Sequence, residues 1–135
     1  MLMAERSGAG STEELDRVLA DLRALSEDIE SCAVLSGARD LLSSSHGPGV
    51  DRERVGAMLA ALVNLSERVA RENGKDHTSQ LRIDTDEGHL LLVRLDGGGA
   101  LAATTGPEAR VGLVLYDMRN SRGEVEKVLA EGSNQ

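Results

Sequence analysis

Aromatic residues are almost missing from this chain of 135 residues: there is no Trp, no Phe and one Tyr, Tyr116. A core must therefore be assembled from Leu, Val, Ile, Met and Ala, and an aromatic-lined ligand pocket is disfavoured. A single cysteine, Cys32, excludes an internal disulfide and a thiol-rich metal site. In its apolar run it reads as a small buried hydrophobe whose thiol pKa is raised. Lysine is scarce too, with Lys75 and Lys127 set against thirteen Arg, a ratio that reflects codon bias rather than function. No stretch is long and apolar enough to span a bilayer. The Gly/Ser-rich run Ser7-Gly8-Ala9-Gly10-Ser11 has no apolar h-region, so a cytoplasmic location is expected.

The residues present describe one globular domain, with 40% apolar and 28% charged content. A formal charge of −8, with basic residues interleaved among acidic ones, argues against nucleic acid and anionic membrane as partners. Residues 1–11 and 132–135 read as disordered tails around a domain at 12–131.

The domain opens at Ser11-Thr12-Glu13-Glu14, a helix-cap signal. Leu15, Val18, Leu19, Leu22 and Leu25 then form one apolar stripe. Ile29 to Leu35, apolar on both faces, is a central strand. A turn at Ser36 to Asp40 leads to a weaker strand, Leu41 to Ser45, and His46-Gly47-Pro48-Gly49 breaks the chain. A helix of about 30 Å follows from Asp51, its cap, to Glu72, with Gly74 as its stop. Val55, Met58, Leu59, Leu62, Leu65 and Val69 form one face of it and are expected to cover a core. Nearly opposite lies a mostly small stripe, Ala57, Ala60, Ala61, Asn64 and Arg68, which permits close approach of another helix or simply supplies helix propensity.

Three strands come next. His77 to Asp84 has one wet face, as an edge strand does. The chain turns at Asp86-Glu87-Gly88, runs apolar through Leu90 to Leu95, and turns again at Asp96-Gly97-Gly98-Gly99 into Ala100 to Thr105. The last helix, near Glu108 to Glu131, shows Val111, Val114, Leu115, Met118, Val125 and Leu129 on one face, with Gly123 weakening its middle.

No chemistry accompanies this architecture. Asn73-Gly74-Lys75-Asp76 displaces the Lys of a guanine-reading Asn-Lys-x-Asp, and no phosphate-cradling Gly-x-x-x-x-Gly-Lys-Ser/Thr precedes it, so the chain is not itself a GTPase. Asp84, Asp86 and Glu87 beside Gly88 lack the twelve-residue calcium loop and read as a solvated turn. His46, His77 and His89 have no ligand partners at metal spacing. Ser43-Ser44-Ser45 beside His46 has no nucleophile elbow around it. No catalytic residue, metal or cofactor is therefore expected.

Helix, two strands, helix, three-strand meander, helix: this order, with Ala33-Val34-Leu35-Ser36, the Ala-rich helix Arg54 to Arg71, Leu90-Leu91-Leu92-Val93, Ala100-Leu101-Ala102-Ala103 and Val111 to Arg119, resembles the roadblock (dynein light-chain) family. The closest likeness is to its bacterial MglB-like members, encoded beside small Ras-like GTPases, and it covers about Thr12 to Ala130. One departure is the first hairpin, where Gly37 precedes Arg39-Asp40 in place of a Ser-Arg-Asp-Gly order. The resemblance implies an α+β, profilin-like fold: a five-stranded antiparallel sheet sandwiched between helices, the first and last on one face and the second on the other. It also implies homodimers formed through the edge strand and second helix, as a platform for a GTPase or scaffold. On that basis Ala57, Ala61, Asn64 and Arg68 are expected dimer or partner contacts, and Ser79, Leu81 and Ile83 the edge-strand seam. The expected function is a non-enzymatic homodimeric regulator of a small Ras-like GTPase. The alternatives are a PAS- or profilin-like sensory domain binding a small ligand and, against the absence of any catalytic constellation, an enzyme.

Overall fold

The computed structural model describes residues 2–45 and 49–133, so the expected chain break at His46-Gly47-Pro48 lies outside the described residues. The elements are α1 (Leu2–Leu25), β1 (Ile29–Leu35), β2 (Leu41–Ser44), α2 (Arg52–Glu72), β3 (Gln80–Thr85), β4 (Gly88–Arg94), β5 (Ala100–Thr105) and α3 (Val111–Ser133). The strands form one antiparallel sheet in the order β2-β1-β5-β4-β3. This is the expected fold, with the element order read from the sequence.

Local chemistry explains most boundaries. Asp51 caps α2, its carboxylate accepting from the Arg54 amide at 3.3 Å, and Gly74 turns the chain away at φ +75°. The β4–β5 turn uses left-handed Gly97 and Gly98, at φ +91° and +96°. α1 begins at Leu2, ahead of the Ser11 to Glu14 cap signal, because Leu2 to Arg6 are good helix formers and the Gly and Ser after them raise the cost of the helix without ending it. α3 is continuous through Gly123 and runs to Ser133.

The start of α3 is set from far away in sequence. The Asp28 carboxylate accepts from the Arg110 amide at 2.9 Å and pairs with its guanidinium at 3.1 Å. That places a carboxylate at the helix N-terminus, as an acidic residue in the first turn ordinarily would. α3 accordingly begins at Val111 and not near Glu108.

Alternation along the strands divides the core in two. Cys32, Val34, Leu91, Val93, Leu101 and Ala103 face α1 and α3, which contribute Leu15, Val18, Leu19, Leu22, Val111, Val114, Leu115, Met118 and Val125. Ala33, Leu35, Leu92, Ala100 and Ala102 face α2, which contributes Leu59 and Val63. Two departures from the expected stripes stand out. Leu25, at the end of α1, is 66% exposed, and Val128 is buried while Leu129 is only partly covered. Both lie at the edges of broad apolar arcs, where one position decides burial.

Hydrogen bonds to Arg110 hold the Asp28 carboxyl below its ordinary pKa. A depressed folded-state pKa stabilises the fold above the unfolded value and stops doing so as pH falls through the folded one. Asp28→Asn should therefore melt below wild type near neutral pH. The gap should close on acidification, as read from thermal melts across the carboxylate range.

Candidate interaction surface

The sheet has two edges, and they differ. β2 is four residues long and carries a bulge where its pairing with β1 shifts between Val34 and Leu35. Short, bulged edges resist addition of another strand. β3 pairs with β4 in uninterrupted register from Gln80↔Val93 to Thr85↔Gly88. The Arg94 amide donates to the Ser79 carbonyl at 2.9 Å, which makes 79↔94 a hydrogen-bonded pair. By antiparallel alternation, the N–H and C=O of Leu81, Ile83 and Thr85 then point into the sheet, and those of Gln80, Arg82 and Asp84 point out from the edge.

The expected seam residues fall around this edge. Ser79 precedes β3 and is exposed. Leu81 and Ile83 are half-buried with side chains on the α2 face, opposite Leu92 and Leu90, and Leu81 packs against the core there. On the other face Gln80 accepts from Arg119 of α3 at 2.9 Å. Alternation along the sequence located the edge, and which backbone groups face outward from it depends on the ladder and not on side-chain polarity.

α2 lies over the sheet differently from expectation. Gly56, Leu59 and Val63 are its buried residues, with Val55, Ala60 and Leu62 partly covered. Met58, Leu65 and Val69, expected to cover the core, are 55%, 59% and 52% exposed. The apolar arc of α2 is wider than the sheet can cover, so one margin of it stays outside. Ala57, Ala61, Asn64 and Arg68 are all exposed, and Arg68 pairs with Glu72 of its own helix at 3.3 Å. Beside α2 runs an apolar groove of about 250 Å³ bounded by Val55, Met58 and Leu62 on the helix and Leu90, Ala102 and Thr104 on the sheet.

Asn64 does more than line a surface. The Arg39 guanidinium donates to its Oδ1 at 2.8 Å, to the Gly98 carbonyl at 2.7 Å and to the Gly37 carbonyl at 3.0 Å. Arg39 thus ties α2 to the β1–β2 and β4–β5 turns. Its own backbone is left-handed at φ +73°, a conformation that costs a non-glycine residue about 1–2 kcal/mol. Gly37 is required beside it, since a Cβ there would overlap the Gly97 carbonyl oxygen. The unusual Gly37 to Asp40 order is therefore matched by this turn. No sequence signal singled out Arg39, because two of its three partners, Asn64 and Gly98, come from other elements.

Charged side chains at the β3 edge form ion pairs. Asp84 accepts from Arg82 at 2.8 Å and pairs with His89 at 2.6 Å, and these bonds hold its carboxyl below the ordinary range. Among the described residues no three His, Cys, Asp or Glu side chains converge as a metal site would require. Cys32 is buried, its thiol directed at the Leu19 carbonyl 3.8 Å away, and burial pushes the thiol pKa up. Tyr116 is 50% exposed on α3.

The sheet is thus backed by two helices on one face and one on the other, with β3 forming one edge in regular register. Residues 15–105 match the Roadblock/LC7 domain, and the chain belongs to that family. Among solved structures, MglB of Myxococcus xanthus is similar with a TM-score of 0.80 at 14% identity, over 90% of this chain and 91% of that one. The gliding protein MglB of Thermus thermophilus gives 0.77 at 10% identity, over 90% and 92%. A Roadblock/LC7 domain of Streptomyces avermitilis is 28% identical, with a TM-score of 0.63 over 82% and 96%. No curated protein sequence matches. No described helix is long and apolar enough to cross a membrane.

The Arg39 clamp is open to test. Asn64→Ala removes one exposed bond of the clamp and should cost about 0.5–1 kcal/mol. Arg39→Ala removes the bonds to Asn64, Gly98 and Gly37 while keeping a strained backbone, and should cost more. Urea unfolding midpoints of both variants, and of Arg39→Gly, which relieves the backbone but not the bonds, separate the two contributions.

Proposed function

We propose that the chain is a non-enzymatic homodimeric regulator or scaffold that binds a small Ras-like GTPase and modulates its nucleotide state or localisation in the cytoplasm. The observation that carries this reading is the unbulged β3 edge, flanked on the α2 face by half-exposed Met58, Leu65 and Val69. A free strand edge beside an unburied apolar margin is an unfinished surface, and a second protein surface finishes it. Family membership supports the reading, as does the likeness to MglB structures, one of which has a tetrameric arrangement. Ala57, Ala61, Asn64 and Arg68 on α2, with Ser79, Leu81 and Ile83 at the edge, are its proposed dimer or partner contacts.

On this reading the regulator's contribution is positional. The GTPase holds nucleotide and Mg²⁺, and the regulator orders or masks the GTPase's own switch segments. The other reading, a sensory domain enclosing a small ligand, draws on the apolar groove beside α2. With Met58 on its rim more than half exposed, that groove is open to solvent rather than closed over a ligand.

Light scattering with size separation at several concentrations tests the platform. Wild type should have the mass of a dimer. Leu81→Asp, which places a charge at the seam, should weaken association by roughly a hundredfold, about 3 kcal/mol. The dimer should retain a Ras-like GTPase encoded nearby, in one nucleotide state more than the other. A wild-type monomer at all concentrations overturns the homodimer, and equal indifference to both nucleotide states overturns the regulator.

A further inference from the structure

We infer that the β2 end of the sheet carries a binding site for a small phosphorylated metabolite. The site is the polar hollow between α1, β2 and the start of α2, where Arg23 and Arg52 hold the phosphate.

Helical spacing builds one wall of it. Asp16, Leu19, Ala20 and Arg23 recur at offsets of three and four, so they share one flank of α1. That flank, with Ser43 of β2, Ser45 just after it and Arg52 of α2, lines a hollow of about 380 Å³. Small-molecule sites typically measure about 300–1,000 Å³. β2 and β3 are at opposite ends of the sheet, so the hollow is separate from the proposed partner surface.

The floor is held by its own bonds. Ser43 donates to the Asp16 carboxylate, and Ser45 accepts from the Cys32 amide at 2.8 Å. The two guanidiniums are not so held. In a chain with 23 acidic residues, neither Arg23 nor Arg52 has a carboxylate partner among the described residues. Each offers five N–H donors in a fork that fits phosphate oxygens. Burial raises the Cys32 thiol pKa, and the Ser45 hydroxyl and the Arg23 charge act against that rise, so Arg23 lies over the same end of β1 as Ser45. Arg52 opens α2, where a cation meets the positive end of the helix dipole. A bound anion removes that conflict.

Charge and shape narrow the ligand. Asp16 leaves one negative charge in the hollow, so a ligand must engage both guanidiniums to overcome it. They come from different helices. A planar carboxylate meets one fork, whereas the three terminal oxygens of a phosphate monoester can face two. The hollow is larger than a bare ion, and Leu19 and Ala20 give the carbon part of the ligand an apolar wall.

Titration of the full chain with glycerol phosphate, inorganic phosphate and acetate, followed by amide chemical shifts on isotope-labelled protein, tests the site. Glycerol phosphate should bind saturably, with shifts centred on Arg23, Ser45 and Arg52. Arg23→Gln and Arg52→Gln, both at exposed positions where folding is not at risk, should each weaken it at least about tenfold. Arg71→Gln, in the last turn of α2, should leave it within about twofold. Asp16→Asn keeps an acceptor for Ser43 while removing the opposing charge, and should tighten binding severalfold. Acetate should bind at least about tenfold more weakly than glycerol phosphate. Absence of saturable binding overturns the site, as does equal weakening by Arg71→Gln, which would mark a general attraction of anions to surface Arg. Binding of inorganic phosphate without glycerol phosphate marks an adventitious ion only and overturns the metabolite. None of these outcomes bears on the dimer mass, so the regulator stands or falls separately.

Discussion

Five strands spaced about 4.8 Å apart make a sheet roughly 20 Å across, while a helix with its side chains is about 10–12 Å wide. Two helices cover such a face and one does not. α1 and α3 together close one side over a layer of Leu, Val and Met. On the other side α2 is alone, and Ala33, Ala100 and Ala102 let it lie close to the strands without widening its reach. What remains uncovered on that side is a strip of sheet beside α2, along which the apolar groove runs past Val55, Met58 and Leu62.

This mismatch marks the limit of what sequence reading could reach. Strand order along the chain, the Asp51 cap, the Gly97-Gly98 turn and the inner faces of α1 and α3 were legible because each depends on neighbours a few residues away. Six large residues on α2 were equally plain as an apolar arc. Periodicity measures the width of such an arc but not how much of it a helix lying on a sheet can press against the strands, so Met58, Leu65 and Val69 stay outside the contact. The start of α3 and the Arg39 clamp were hidden for a related reason. Asp28 lies 82 residues from Arg110, and Arg39 lies 59 from Gly98. No local pattern announces bonds of that range.

The candidate surface was legible in kind but not in detail. Alternating polarity in β3 pointed to an edge strand, and the structure places β3 at one end of the sheet. Which backbone groups face outward depends on one ladder bond, Arg94 to Ser79. The acidic cluster near Gly88 is likewise clarified by partners: Asp84 is committed to Arg82 and His89.

The two turns joined by Arg39 meet backbone to backbone. A Cβ on Gly37 would overlap the Gly97 carbonyl, and one on Gly99 would overlap that of Leu35. Where the two turns touch, main chain meets main chain, with no room for a side chain at Gly37 or Gly99. Insertions there would force the turns apart and undo the clamp on α2. Length changes between relatives of this chain should therefore collect elsewhere, so this end works as a fixed datum against which the orientation of α2 is set.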